Sequence, residues 1–472
     1  MKISNTKLEK LVQKWQDKTI LILGFGEEGR DVFQFLRQLF PNKIIGIADQ
    51  KEKNALEKSS QKLLQKQKNY RLHLGSNHLQ ALRDYDVIIK SPGVPIHLPE
   101  VEKAYQEKKI TSQSEIFFNF YQGTIAGVTA TKGKSTTTTL IYKILKNAGL
   151  KVHLVGNIGA KKPVLPLLFK SHQNDIYAYE LSSHQLYNLK KSPEIAVLLN
   201  IYPEHLDYYK NFEEYKNAKA NIARHQTKND ILIYNYRDPN VKTIAQKSKA
   251  RKLKIPFSSH LISRIKKLIA NKNARFINLI DIMAAVRVAK IFHVEDKIVL
   301  NTISNFKLLK HRLEYVGTYK GISFYNDSLS TIPETTVFAL DTLGPKVKTL
   351  IAGGFDRGLD FSKLAKNILK RNLRTLILLP ETGKKIKEAI EKITKSDEPE
   401  MIFAENLEQA VLLSYIKTKK GEICLLSPAA PSFGMFRNYK DRGNTFKKYV
   451  KKYGNENFDK ITKTVENKLK LY

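Results

Sequence analysis

The stretch GVTATKGKSTTTT, residues 127–139, constrains this chain more than any other. An apolar run, TIAGV, leads into it. Leu140, Ile141, Ile144 and Leu145 follow at helical spacing, and Gly149 stands where a helix C-cap glycine belongs. A strand that turns through a glycine-containing loop into a helix is the opening of a parallel sheet with crossover helices. The turn puts Gly133, Lys134, Ser135 and Thr136 at a helix N-terminus, where unpaired backbone N–H groups and the helix dipole attract phosphate. The common phosphate loop, G-x-x-x-x-G-K-[ST], needs a glycine where this chain has Val128, and Gly127 comes one residue too early. Lys134 still has the reach for a β- or γ-phosphate, Ser135 or Thr136 can ligate Mg²⁺, and Lys132 adds positive charge.

The same alternation recurs on both sides. In TILILGFGEEGRDVFQFLRQLF, Thr19–Leu23 reads as a buried strand, and Val32, Phe33, Leu36, Leu39 and Phe40 share one helical face. Gly24, Gly26 and Gly29 match G-x-G-x-x-G, and Asp49 ends the next strand. Glu27 and Glu28 inside that loop would repel a dinucleotide pyrophosphate, so a tight strand–helix turn or a different nucleotide ligand is the better reading. A third glycine-rich turn lies in TLIAGGFDRGLDFSKL. The expectation is an α/β chain of three domains. A Rossmann-like one spans 1–120, a central P-loop ATPase-like one with a parallel sheet spans 121–302, and a C-terminal Rossmann-like one spans 303–472.

Charge and composition narrow the function classes. Lys and Arg number 81 against 45 Asp and Glu, a formal net charge of +36. The lysines are spread along the whole chain, without a basic tail, zinc-finger spacing or RNA-binding aromatic signature. They read as a solvated surface, and a nucleic-acid partner is not expected. A single cysteine, Cys424, leaves no intrachain disulfide framework. No run of 18 apolar residues suggests a membrane span, and MKISNTKLEK lacks the apolar core of a signal peptide, so a monomer in the cytoplasm is the expected form.

Further motifs occur in a fixed order: SPGV at 91–94, GNIG at 156–159, YELSSHQL at 179–186, PEHLDYYKNFEEYKNAK at 203–219, HRLE at 311–314, YNDSLST at 325–331 and LLSPAAPSFGMFRNYKDRGNTF at 425–446. With the loop form G-[IV]-T-x-[ST]-x-G-K-[ST], this set resembles the Mur ligase family over nearly the whole chain. The last segment and ELSSHQL are closest to the members that add glutamate to a UDP-linked muramoyl-alanine. The resemblance implies ATP-dependent amide formation. A carboxylate attacks the γ-phosphate of ATP to give an acyl phosphate, and the incoming amine then displaces phosphate.

The resemblance also implies roles, residue by residue. Thr129, Lys132, Gly133, Lys134, Ser135, Thr136, Asn278, Arg312 and Asp327 would bind ATP, with His311, Asn326 and Ser328 beside the last two. Ser135 and Glu180 would hold one Mg²⁺, and His205 a second. Lys219, in the Y-x-x-A-K register, would be carbamylated, which turns a cation into an oxygen ligand suited to a hard metal. Gly24, Gly26, Gly29, Asp49, Ser91 and Asn157 would receive the UDP acceptor. Arg357, Ser427, Ser432 and Phe433 would receive glutamate, although Phe433 reads equally as core packing. Three positions depart from the family pattern. Ile277 stands for histidine, Asp281 for asparagine and Leu329 for lysine, which puts some ATP contacts in question. Three rival readings remain at this level: a related muramyl-peptide or folate polyglutamate ligase, a basic ATPase that binds nucleic acid, and a degenerate ligase scaffold.

Overall fold

A computed structural model describes residues 6–156, 163–206, 208–256, 260–269, 277–394 and 399–457. Among them are three sheets, each with buried, apolar central strands of the kind that sit between helices and more exposed strands at its edges. The first has β1 (Ile20–Leu23), β2 (Ile45–Asp49), β3 (Tyr70–Leu74), β4 (Val87–Lys90) and β5 (Ile110–Thr111), all parallel in the order β3-β2-β1-β4-β5. The second has β6 (Thr124–Thr129), β7 (Val152–Val155), β8 (Ile176–Glu180), β9 (Ile195–Leu198), β10 (Ile231–Tyr234) and β11 (Arg251–Lys254). It is also all parallel, in the order β11-β10-β9-β6-β8-β7.

The third sheet has β12 (Glu314–Tyr319), β13 (Ile322–Asn326), β14 (Val347–Gly353), β15 (Thr375–Leu379), β16 (Glu400–Phe403) and β17 (Ile423–Leu426), ordered β12-β13-β17-β14-β15-β16. Only the hairpin β12–β13 is antiparallel. The chain separates into two compact units. One contains residues 1–202, 208–264 and 279–303, with the first two sheets; the other contains 203–207, 265–278 and 304–472, with the third.

Helix α1 (Glu27–Leu39) shows why the first loop is placed as it is. Its inward face is Val32, Phe33, Phe35, Leu36 and Leu39, all buried with Ile20, Ile22, Phe117, Tyr177 and Tyr179 in a core that includes residues from both the first and second sheets. Helix α2 (Lys134–Asn147) buries Leu140, Ile141, Ile144 and Leu145. Gly149, at φ +81°, follows its end in the left-handed conformation that favours glycine. In the second unit, two apolar clusters that share no residue both draw on the strands of the third sheet. Among the described residues no helix is long and apolar enough to cross a membrane.

Candidate active site

Parallel sheets gather functional groups at the C-terminal ends of their strands. β6 ends at Thr129, and the chain turns into α2 through Gly133 at φ +98°. A Cβ there would stand 2.3 Å from Oδ1 of the buried Asp281, so only glycine fits. Asn200 clamps the loop from the end of β9. Its Oδ1 accepts from Lys132 N at 2.9 Å and its Nδ2 donates to Lys132 O at 2.8 Å. Thr129, expected to meet ATP, is fully buried, and its hydroxyl donates to Leu181 O at 2.7 Å. Thr136 is also buried, whereas Lys132, Lys134 and Ser135 are partly exposed.

Two lysines meet at one carbonyl. Lys134 Nζ donates to Ala130 O and Thr131 O, both at 2.9 Å. Lys219, 1% exposed on helix α3 (Phe212–Arg224), donates to the same Ala130 O at 2.8 Å and lies 4.8 Å over the Tyr215 ring. Ser135 Oγ donates to Glu180 Oε1 at 3.0 Å, where β8 ends beside the loop. A hydroxyl and a carboxylate so placed at a phosphate-binding helix start are the hard oxygen donors that Mg²⁺ takes. Among the described residues no group of three or more His, Cys, Asp or Glu is placed to hold a metal without further ligands.

The first glycine loop borders a cavity of about 800 Å³, lined by Gly24, Gly26, Asp49 and Ser91 with Glu28, Asp31 and others. The three glycines differ in role. A Cβ on Gly29 would stand 2.2 Å from Gly24 O, and one on Gly24 would stand 2.9 Å from Ser91 Cβ, but one on Gly26 would meet nothing within 4 Å. Ser91 Oγ donates to Gly24 O at 2.8 Å. The Asp49 carboxylate accepts from Phe25 N at 2.7 Å and Lys51 N at 2.9 Å, so it braces the loop as well as facing the cavity. Glu28 accepts from Gln185 of ELSSHQL at 2.9 Å. Burial holds the Glu28 carboxyl well above its ordinary range, at about 7, and pulls the Lys90 ammonium down to about 8. Asn157 lies outside the described residues.

In the second unit, Asp327 follows β13 and is buried. Ser330 and Ser427 donate to its Oδ2 at 2.5 and 2.8 Å, and Leu313 N donates to Oδ1 at 3.1 Å. Desolvation raises its carboxyl to about 6 despite those bonds. Asn326 and Ser328 are fully buried. Asn326 bonds His311, Glu314 and Gly443 O, while Ser328 donates to Tyr439 O, so these side chains brace the site from beneath. Arg312 and Asn278 are half-buried, and Ile277 is buried. Arg357 NH1 lies 3.2 Å from His205 Nδ1 and its guanidinium 5.2 Å over the Phe433 ring. Phe433 is 46% exposed, which decides against core packing, whereas Ser432 is buried. His205, His311, Leu313 and Ala429 all hold positive φ without being glycine. Such strain persists where surrounding structure fixes it, often at functional sites.

Several residues here escaped the sequence reading. Arg442, 1% exposed on helix α4 (Tyr439–Gly454), donates to Ser328 Oγ and O, Ala430 O and Pro431 O. It ties the loop after β13 to the loop after β17. Burial lowers its guanidinium to about 9. Asn200 and Asp31 are similar cases. Each acts through bonds to backbone far away in sequence, and no local spacing marks that.

Two family models match the chain: the Mur ligase middle domain over residues 128–299, and the Mur ligase MurD-like, N-terminal domain over residues 18–111. The UDP-N-acetylmuramoylalanine–D-glutamate ligase of Thermoanaerobacter sp. (strain X514) is 34% identical over 456 residues, which cover 92% of this chain and 98% of the relative. This chain belongs to the Mur ligase family. The UDP-N-acetylmuramoylalanine–D-glutamate ligase of Clostridium acetobutylicum is 35% identical over 461 residues, covering 92% of this chain and 96% of its own. Among solved structures, the UDP-N-acetylmuramate–alanine ligase of Thermotoga maritima has a TM-score of 0.56 at 16% identity, covering 92% of this chain and 99% of the other. A pseudomurein peptide ligase type C from Methanothermus fervidus has a TM-score of 0.54 at 16% identity, covering 93% and 100%. Both share the three-domain Mur ligase fold.

Proposed function

We propose that this Mur ligase is an ATP-dependent enzyme that joins D-glutamate to UDP-N-acetylmuramoylalanine through an acyl phosphate, working in the cytoplasm as a single chain. The observation that carries the reading is full-length likeness, at 34 and 35% identity, to relatives named for that reaction. The proposed reading extends to the domains: residues 1–120 would receive the UDP acceptor, 121–302 would bind ATP, and 303–472 would bring the amino acid.

In this reading the acceptor's nucleotide enters the cavity at Gly24, Gly26, Asp49 and Ser91, Gly29 shapes that loop from behind Gly24, and Asn157 meets the muramoyl end. Backbone N–H groups of residues 133–136 and the Lys134 ammonium hold the ATP phosphates, and Lys134 must leave Ala130 O and Thr131 O to do so. Asn278, Arg312 and Asp327 serve the rest of ATP. Ser135 and Glu180 would hold Mg²⁺, His205 would ligate a second ion, and a carbamylated Lys219 would add an anionic oxygen ligand; the metal would supply neutralisation of charge on the transferred phosphoryl group.

Lys219 as an ammonium cannot ligate a cation, and it sits beside Lys134 on one carbonyl oxygen. Addition of CO₂ to its amine, with loss of a proton, replaces that like-charge neighbour with an anionic oxygen ligand. Arg357 offers a guanidinium to a glutamate carboxylate, Phe433 packs beneath it, and Ser432 sits close by in sequence. Ser427 acts through Asp327, to which it donates.

The test is phosphate release from ATP with UDP-N-acetylmuramoylalanine, adding D-glutamate, L-glutamate, L-alanine, lysine or nucleic acid in turn. Release that requires both the acceptor and D-glutamate is expected. Release with another amino acid moves the specificity to a related ligase, and stimulation by nucleic acid alone overturns the reading. Lys219→Ala should be inactive and regain activity with short carboxylic acids. Full activity without them would remove the carbamate.

A further inference from the structure

The cavity beside the first glycine loop has one group that its neighbours do not explain. Asp31, on the second turn of α1, lines it and is 5% exposed. Its two carboxylate oxygens are treated very differently. Oδ2 accepts three bonds, from Gln113 Nε2 at 2.5 Å, Val164 N at 2.9 Å and Leu165 N at 3.1 Å. Oδ1 is buried and has no hydrogen-bond partner among the described residues.

The Oδ2 bonds alone give a full structural role. They fasten Val164, itself part of the cavity wall, and the start of the helical turn Leu165–Lys170 to α1. A single amide oxygen could do this equally well. The second oxygen is therefore the anomaly. A buried polar atom left without a partner is destabilising, and native proteins keep few of them without a ligand, ion or water to meet them. Desolvation raises the Asp31 carboxyl above its ordinary range, as expected of a carboxylate only half satisfied.

We propose that Asp31 is a specificity residue for the UDP-linked acceptor: its Oδ1 accepts a hydrogen bond from a neutral hydroxyl or amide N–H on the sugar part of that substrate. The diphosphate is excluded as the partner because it has no donor and Glu27 and Glu28 flank the approach. Pro163 and Val164 line the same cavity as Asp31, and a Cβ on Gly26 would meet nothing within 4 Å. This inference rests on the reading that the cavity takes the acceptor.

Asp31→Asn separates the two roles, because its one remaining oxygen can keep the Val164 and Leu165 bonds while an NH₂ replaces the free oxygen. Asp31→Ala removes both. Binding of UDP and of UDP-N-acetylmuramoylalanine would be measured by calorimetry, with steady-state kinetics and thermal melts. For Asp31→Asn we expect tenfold or greater loss in acceptor affinity and the same rise in acceptor KM. UDP affinity, the KM values for ATP and D-glutamate, kcat and the melting temperature should stay near those of the parent. Asp31→Ala should lose the same affinity and also melt lower. An Asp31→Asn variant with parental acceptor KM overturns the proposal, and so does an equal loss for UDP and for the acceptor. Failure of the parent protein to bind UDP at all would instead sink the cavity assignment itself.

Discussion

Two strand–turn–helix loops in one compact unit make an instructive pair. The loop after β1 and the loop after β6 both run from a buried parallel strand, through glycines, into a helix start. Their backbones offer the same device, N–H groups gathered at a helix N-terminus. Their side chains differ in sign. The first carries Glu27 and Glu28, the second Lys132 and Lys134. The second suits a triphosphate whose charge grows during transfer. The first, in the proposed reading, would meet the sugar of its ligand with carboxylates and leave the diphosphate to the backbone. A backbone motif therefore says where a ligand goes, and the charges around it say which part of a ligand.

The comparison breaks most visibly at Lys134. Lys134→Ala should lower kcat by roughly 10²–10³-fold, the scale of removing one preorganised electrostatic partner. The melting temperature should hardly move, since the partly exposed ammonium bonds loop carbonyls and not the core. A rate within a few fold of the parent would mean that the cationic loop is not the catalytic one.

A third turn, at Gly353 and Gly354 after β14, tests whether such loops need outside support. A Cβ on Gly354 would stand 2.3 Å from Pro431 O and 3.1 Å from Arg442 NH1. Arg442→Met leaves the acceptors at Ser328, Ala430 and Pro431 unmet, and should cost about 3 kcal/mol or more of stability by chemical denaturation. The glutamate KM should rise as well. Unchanged stability would show that the loops after β13 and β17 hold themselves.

Gly29→Ala is the counterpart of Lys134→Ala in the acidic loop. The new methyl meets Gly24 O at 2.2 Å, an overpacking worth about 1–3 kcal/mol. Stability and acceptor KM should both suffer, with the ATP KM unchanged. Equal damage to both KM values would blur the division of labour between the two loops.

What could be read in the sequence divides along the same physical lines. The strands and helices at both loops were legible because apolar periodicity and glycine placement are local. Ser135 and Glu180 lie in hydrogen-bond contact because Ser135 opens the helix after β6 and Glu180 ends its parallel neighbour β8. Asn200, Arg442 and the half-satisfied Asp31 were not legible, because each acts on backbone 68 to 134 residues away, except for Arg442's nearer bonds. Thr129 shows the reverse case. It matches the family's loop pattern, yet its hydroxyl is committed to Leu181 O. Asp281 shows a departure with a local cause: it fills the space beside Gly133.

The finest test of the pair is the charge of Glu28. Its carboxyl titrates at about 7 instead of near 4.5, chiefly because burial disfavours the ion. The Gln185 amide and the Lys90 ammonium oppose that shift, and Asp31 and Glu27 add to it. A carboxyl whose folded pKa lies above its unfolded one favours the protonated fold. Its contribution is complete below about 4.5 and is lost as pH rises through 7. Glu28→Gln keeps a neutral group at every pH. The variant should therefore match the parent's melting temperature in acid and gain on it between pH 4.5 and 7, with the gap level above that. The acceptor KM should follow. In the parent it rises as pH passes 7 and a second negative charge appears beside the diphosphate; in Glu28→Gln it stays flat across the same range. Parallel pH profiles for the two proteins would mean that Glu28 keeps its charge throughout, and the acidic loop would then need a bound cation to accept its ligand.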